Sequence, residues 1–313
     1  MKRRILVTGG AGFVGSAFSQ KLADDSNNFV VIVDNLQTGS LSKLPVSKHN
    51  NIKFIKADVN DFEDISSIFN AYRFHFVFHF AALVGVKRTL TYPVKVLNDI
   101  TGIRNILNLS KNTGVQRIYF SSSSEVYGEP VEFPQNEHTT PLNSRLPYAI
   151  VKNIGEAYLR AYKQEYDLDF TIFRFFNTYG PKQSKDFVMS KFLNAAIHNK
   201  DITVYGDGSQ TRTFCYIEDN VDACLSAFYN NKMINDVVNI GTDDEITIVD
   251  LAKMIIEQTN SKSKIVHLPA LKEGDMTRRC PDITKMLELL NRPLTKLDTG
   301  IQQLMSSKHL TVS

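Results

Sequence analysis

The segment Arg4–Gly15 (RILVTGGAGFVG) constrains the fold more than any other stretch of this 313-residue chain. A short apolar run, Arg4–Thr8, leads directly into a glycine cluster, and an apolar-periodic stretch follows from Phe13 to Leu22. That order predicts strand, tight loop and helix. Glycine permits the turn and lets a ligand come close to the backbone. The unbonded N–H groups and positive dipole end of the helix then make an anion site. Thr8-Gly9-x-x-Gly12-x-x-Gly15 in this context is a dinucleotide-binding fingerprint, with Phe13 and Val14 opening the helix.

Further β-rich runs follow at Phe29–Val33, Ile52–Lys56, Phe74–Phe80 and Arg117–Phe120, with helix-like stretches around 61–71 and 93–111. Strands alternating with helices predict an α/β fold, a Rossmann-type doubly wound parallel sheet covered on both faces. Beyond residue 145 a long helix is expected over 144–166, then a strand at Phe170–Phe173. Gly180–Pro181 and Gly206–Gly208 break the chain into short pieces. The run Asp236–Ile240 reads as a strand returning to the main sheet, 247–259 and 282–290 as helices, and 306–313 as a frayed polar tail. The expected division is an NAD-binding domain over 1–178, with returning segments about 213–240. A smaller C-terminal α/β substrate lobe takes 179–212 and 241–313.

A net charge of +3 gives no reason to expect nucleic acid or a membrane surface as partner. No stretch approaches the roughly 18 uncharged apolar residues of a spanning helix, and the N-terminus lacks the apolar core of a secretion signal. A cytoplasmic protein is expected. Cys215, Cys224 and Cys280 show no metal-ligand spacing, so reduced thiols and no metal are expected.

Asp34 ends the second strand, where a carboxylate accepts from the adenosine ribose 2′-hydroxyl and repels a 2′-phosphate. That favours NAD over NADP. Asp58–Val59, after the third strand, reads either as a contact to the adenine edge or as a surface turn. Tyr148 and Lys152 are the only tyrosine and lysine spaced four apart in that order, and on a helix they share a face. Removing hydrogen from a carbinol needs a base for the hydroxyl proton, and a phenol of pKa ~10 needs nearby positive charge to serve. Lys152 and an oxidised nicotinamide are expected to draw Tyr148 toward phenolate. Ser123, in the run Ser121–Ser124, is placed to orient the same hydroxyl.

Taken in order, TGGAGFVG, Asp34, HFAA (His79–Ala82), SSSSEVYG (Ser121–Gly128), PYAIVK, FFNTYGP (Phe175–Pro181), VYGDGSQTR (Val204–Arg212) and RRCPD (Arg278–Asp282) resemble the extended short-chain dehydrogenases/reductases. The resemblance is to their nucleotide-sugar epimerase/dehydratase/decarboxylase branch and spans nearly the whole chain. It implies that Ser123, Tyr148 and Lys152 are the catalytic trio, with Glu125 beside them either catalytic or a hydrogen-bonding partner of the sugar. It implies that Gly9, Gly12, Gly15, Asp34, Asn35, Thr38, Gly39, Asp58, Val59, Ala81 and Ala82 line the NAD site. Ser124, Asn177, Tyr205, Arg212 and Arg279 are implied for the nucleotide-sugar substrate; forked guanidiniums suit a diphosphate. A homodimer through the helices near 93–111 and 144–166 is implied on the same analogy.

Members of this branch begin by oxidising a sugar hydroxyl, usually at C4. Ser124 stands where 4,6-dehydratases carry an aspartate, which disfavours water elimination. Asn153 stands where UDP-uronate decarboxylases carry arginine, and Asp99 where many relatives carry asparagine. The reading is therefore net 4-epimerisation, followed by a 4-dehydrogenase releasing the keto sugar, then decarboxylation of a UDP-uronate. A non-catalytic NAD(H)-sensing protein is the alternative of another class, and the intact Tyr148/Lys152 pair speaks against it.

Overall fold

The computed structural model describes residues 2–270 and 278–307; the expected frayed tail lies mostly outside them. The chain runs β1 (Arg3–Thr8), α1 (Phe13–Asp24), β2 (Asn28–Asp34), β3 (Ile52–Lys56), α2 (Phe62–Tyr72), β4 (Phe76–His79), α3 (Val86–Thr91), α4 (Pro93–Leu97), α5 (Asp99–Thr113), β5 (Arg117–Ser123), α6 (Pro147–Tyr166) and β6 (Asp169–Phe175). It continues with β7 (Thr178–Tyr179), α7 (Val188–Ile197), β8 (Ile202–Tyr205), β9 (Thr211–Thr213), β10 (Cys215–Tyr216), α8 (Ile217–Tyr229), β11 (Asp236–Ile240), β12 (Glu245–Thr247), α9 (Ile248–Gln258), β13 (Ile265–Leu268), α10 (Thr284–Leu290) and α11 (Leu297–Ser306).

Seven strands form the central parallel sheet in the order β11-β6-β5-β4-β1-β2-β3. Val30, Val31, Ile32 and Val33 of β2 are fully buried, as a strand covered on both faces requires; each such side chain stabilises the fold by roughly 1.5–3 kcal/mol. The strand order reverses between β1 and β4, both paired in parallel. Beyond the carboxyl ends of strands at such a point, doubly wound sheets have their ligand crevice. As the sequence indicates, β11 joins the sheet, at its edge beside β6.

The compact units are 1–126 with 144–174 and 224–238, and 127–143 with 175–223 and 239–313. In the second, β8 pairs in parallel with β13 and β9 antiparallel with β12. All three cysteines are buried free thiols.

One expected element is broken. The single helix read over 93–111 is two, α4 and α5. In an unbroken helix the Gly102 N–H would bond the Asn98 carbonyl; here it donates to Asn60 Oδ1 at 2.9 Å. A side chain from another element thus starts a new helix at Asp99. The strand read as Phe74–Phe80 is shorter, Phe76–His79, although Phe74 is buried in the core.

Candidate active site

The glycine loop crosses from β1 to α1 beside the end of β4. Gly9 adopts φ +68°, and a Cβ there would stand 2.6 Å from the Ala81 backbone nitrogen. At Gly15 a Cβ would meet the Gly9 carbonyl at 2.3 Å. Neither position admits a side chain, which leaves an open cradle of backbone. Among the described residues no side chain caps α1 at Gly12, and its first turn holds no acid. The leading N–H groups of the helix, at Phe13, Val14 and Gly15, thus keep the donors and dipole that suit a pyrophosphate.

Asp34 is buried at the tip of β2. Its carboxylate accepts from Ala11 N at 3.0 Å and Leu36 N at 2.8 Å. An ionised carboxylate accepts about four hydrogen bonds, so acceptor capacity remains for ribose hydroxyls. A Cβ on Gly39 would lie 2.7 Å from Asp34 Oδ1, so the loop through Asn35 and Thr38 closes tightly over this carboxylate. Ser40 N anchors that loop to Ala11 O at 2.9 Å. Asn35 donates to Asp58 Oδ2 at 3.0 Å, which joins Asp58 and Val59 to the same rim. Ala81 N donates to Thr8 Oγ1, and Thr8 Oγ1 shares a 2.7 Å hydrogen bond with the buried His79. Burial first, then the Lys152 charge, pushes His79 down to about 3, so the ring is neutral. Ala82 follows on the same strand end. These residues fit NAD.

On α6, Pro147 opens the helix, and Ala149, Val151, Lys152, Gly155, Glu156 and Leu159 face inward. Tyr148, Lys152 and Glu156 fall at successive fourth residues and so share one stripe. The structure brings Ser123, Tyr148 and Lys152 together: the Ser123 side chain lies close enough to the Tyr148 phenol to favour its anion. Lys152 Nζ lies 5.7 Å from the Tyr148 ring centroid and 5.0 Å from that of Phe120. Ser124 is buried beside them, and Glu125 N donates to Ser123 Oγ at 3.2 Å.

Tyr148 is held above the usual phenol range. Burial is the main cause; the charges of Glu125 and Asp99 add to it, and the Ser123 side chain only partly opposes it. Lys152 is pushed down to about 8 by burial, against the pull of Asp99 toward the charged form. It is largely an ammonium at neutral pH.

In the second unit, Arg212 on β9 and Arg279 are both buried, unlike ordinary surface cations. Arg212 Nη1 donates to Thr211 O at 2.7 Å. The neighbouring Arg278 is instead exposed and forks onto Glu245 at 2.8 and 2.5 Å. Among the described residues Asn177 Nδ2 is buried with no hydrogen-bond partner, a costly state that a ligand's acceptor would relieve. Tyr205 is partly exposed, with Lys191 Nζ 5.4 Å over its ring.

Sequence reasoning missed the buried pair beneath Lys152. Arg174 on β6 grips Glu156 with Nε–Oε1 2.9 Å and Nη2–Oε2 2.7 Å, and Ser122 donates to Oε1 at 2.6 Å. The i+4 spacing from Lys152 to Glu156 was the available signal; the partner lies 18 residues away on a strand.

The model of the NAD-dependent epimerase/dehydratase family matches residues 5–241. A UDP-N-acetyl-alpha-D-glucosaminuronate decarboxylase of Bacillus cytotoxicus is 36% identical over 319 residues, covering 97% of this chain and 97% of its own length. Among solved structures, a UDP-glucose 4-epimerase of Thermotoga maritima with UDP-glucose superposes with a TM-score of 0.90 at 34% identity, over 96% of this chain and 97% of that one. The Thermus thermophilus UDP-glucose 4-epimerase in complex with NAD gives 0.89 at 27% identity, over 98% of both chains.

Proposed function

The chain belongs to the NAD-dependent epimerase/dehydratase family, and from that premise we propose that it oxidises C4 of a nucleotide-linked sugar and reduces it again on the other face, a net 4-epimerisation. The observation that carries this reading is the Ser123–Tyr148–Lys152 cluster on the same unit as the glycine cradle. Bound NAD supplies the acceptor for the C4 hydrogen with its electron pair and, when oxidised, a positive ring charge. Ser123 orients the C4 hydroxyl, and Tyr148 Oη takes its proton. Lys152 supplies the charge that favours phenolate. Burial first, then the Glu125 and Asp99 charges, raise the phenol, and the cofactor's positive ring would join Lys152 in favouring its anion. In the return half-reaction the same oxygen gives the proton back.

On the second unit, Asn177, Tyr205, Arg212 and Arg279 would take the nucleotide diphosphate. Arg279→Ala is expected to raise KM for the nucleotide sugar about 10- to 100-fold, the loss of one or two charge-assisted hydrogen bonds. NAD affinity should stay unchanged; an equal loss of both would count against this division of roles. The proposal includes a homodimer built on α4, α5 and α6, where Tyr92, Val94, Leu97 and Ile150 are exposed. Light scattering should read about twice 35.4 kDa.

Decarboxylation of a UDP-uronate is the second reading, favoured by the Bacillus cytotoxicus relative and by the Glu125 carboxylate acting on Tyr148. A 4-keto uronate is a β-keto acid and loses CO₂ once formed. Incubation with UDP-, GDP- and dTDP-hexoses and UDP-uronates, read by mass and NMR, separates the outcomes. Unchanged mass with inverted C4 is epimerisation, loss of two mass units is dehydrogenation, and loss of CO₂ is decarboxylation. No turnover across the panel overturns the proposal.

A further inference from the structure

Glu245, on β12, holds the sequence neighbour of both Arg212 and Arg279, the two buried arginines of the second unit. Thr211 Oγ1 donates to Glu245 Oε2 at 3.0 Å. Arg278 forks onto the same carboxylate, with Nε–Oε2 2.8 Å and Nη2–Oε1 2.5 Å. Thr211 directly precedes Arg212, and Arg278 directly precedes Arg279. One carboxylate thus ties the strand that carries Arg212 to the segment that carries Arg279.

The strand register carries the hold on to Arg212. β9 and β12 pair antiparallel, with Thr213 opposite Glu245, Arg212 opposite Ile246 and Thr211 opposite Thr247. Side chains alternate along a strand, so Thr211 shares the face of Glu245 and Arg212 leaves from the other. Glu245 therefore acts on Arg212 through the strand: it fixes the Thr211 hydroxyl, and the Thr211 carbonyl accepts from Arg212 Nη1 at 2.7 Å. Arg279 is held from both sides. After it, Gln135 N donates to Cys280 O and Asp282 N donates to Gln135 O, both at 2.8 Å. Before it, the Glu245 fork holds Arg278, whose guanidinium carbon also lies 4.1 Å from the centroid of the Phe133 ring.

We propose that Glu245 is a positioning residue for diphosphate binding: by holding the residue before each buried arginine, its carboxylate sets the separation of the Arg212 and Arg279 guanidiniums. The proposal rests on the reading of these two arginines as the diphosphate ligands. Forked guanidiniums grip phosphate oxygens directionally, so two of them act together only at a separation that matches the ligand. The Arg278 and Glu245 side chains are 46% and 20% exposed, and an ion pair so open to water adds little to stability. Its consequence is geometric, and anion binding, not folding, should feel its loss. The sign of the effect separates geometry from charge. Glu245→Ala removes a negative charge from the unit, which on charge alone favours an anion; a lost brace weakens the anion instead.

The test is Glu245→Ala in the full chain, with UDP, GDP and dTDP as calorimetric probes. The diphosphate that the unaltered protein binds most tightly should bind about 10-fold more weakly, the loss of roughly one charge-assisted contact. NAD affinity and the urea midpoint should hold, and in turnover the change should fall on KM rather than kcat. Glu245→Gln, which keeps an acceptor for Thr211, should lose less, and this arm stands even where Glu245→Ala does not fold. The guanidinium Nε–H signals of Arg212 and Arg279, assigned by their loss in Arg212→Lys and Arg279→Lys, should shift in both variants, while that of Arg174 in the first unit stays. Diphosphate affinity that is unchanged or tighter in both variants overturns the proposal, as does a urea midpoint that falls while affinity holds. If the unaltered protein binds none of the three diphosphates, the nucleotide reading of the site fails and the arginine signals decide the rest. Shifted signals then sustain the brace, and unmoved ones overturn it.

Discussion

Replacing Tyr148 with phenylalanine is expected to lower kcat by about three orders of magnitude, within the 10²–10⁴ that a positioned acid–base group contributes. The ring keeps its packing, since Tyr148 lies against the apolar core through its body. What goes is the oxygen proposed to take the hydroxyl proton. The cradle at Gly9 and Gly15 and the Asp34 carboxylate are untouched, so NAD should bind with little change by calorimetry. Lost turnover with retained binding is the expected pair of results. Full activity in Tyr148→Phe would remove the tyrosine from the chemistry.

The second large effect is on stability. Glu156→Ala should cost about 3–5 kcal/mol, the usual penalty for leaving one partner of a buried ion pair behind. Arg174 and Glu156 side chains are 1% and 2% exposed, so a guanidinium deprived of this carboxylate cannot reach water without disrupting β6. Against a total stability of about 5–15 kcal/mol for a typical fold, that is a large share, and a urea titration should show it plainly. The double variant Glu156→Ala/Arg174→Met should recover part of the loss, because no charge then remains buried. A Glu156→Ala cost below about 1 kcal/mol would contradict the pair's role. Because Glu156 shares its stripe with Tyr148 and Lys152, activity in any folded fraction should fall too.

The parts of this molecule written in short spans were readable in advance. The glycine loop, Asp34 and the Tyr148/Lys152 spacing each lie within one turn or one strand end, where spacing alone dictates geometry. The α4–α5 break was not, because it depends on Asn60, a side chain from another element, taking a helix N–H. Arg174 was invisible as the partner of Glu156 for the same reason: strand and helix meet only after the sheet forms. Asp99 stood out as a departure from asparagine, but the Leu83 N–H that its carboxylate accepts comes from another part of the chain. The rise of the Tyr148 phenol was not legible either, because burial is its main cause and the Glu125 and Asp99 charges that add to it come from other parts of the chain. The unpartnered Asn177 amide could be found only with every nearby acceptor in place.

The most direct measurement of the central claim uses a nucleotide sugar carrying deuterium at C4. Oxidation at C4 with return of the same hydrogen predicts slower turnover of the labelled substrate, and a C4-inverted product of unchanged mass that still holds the deuterium. Turnover indifferent to the C4 label, or inversion with the label lost to solvent, would contradict it.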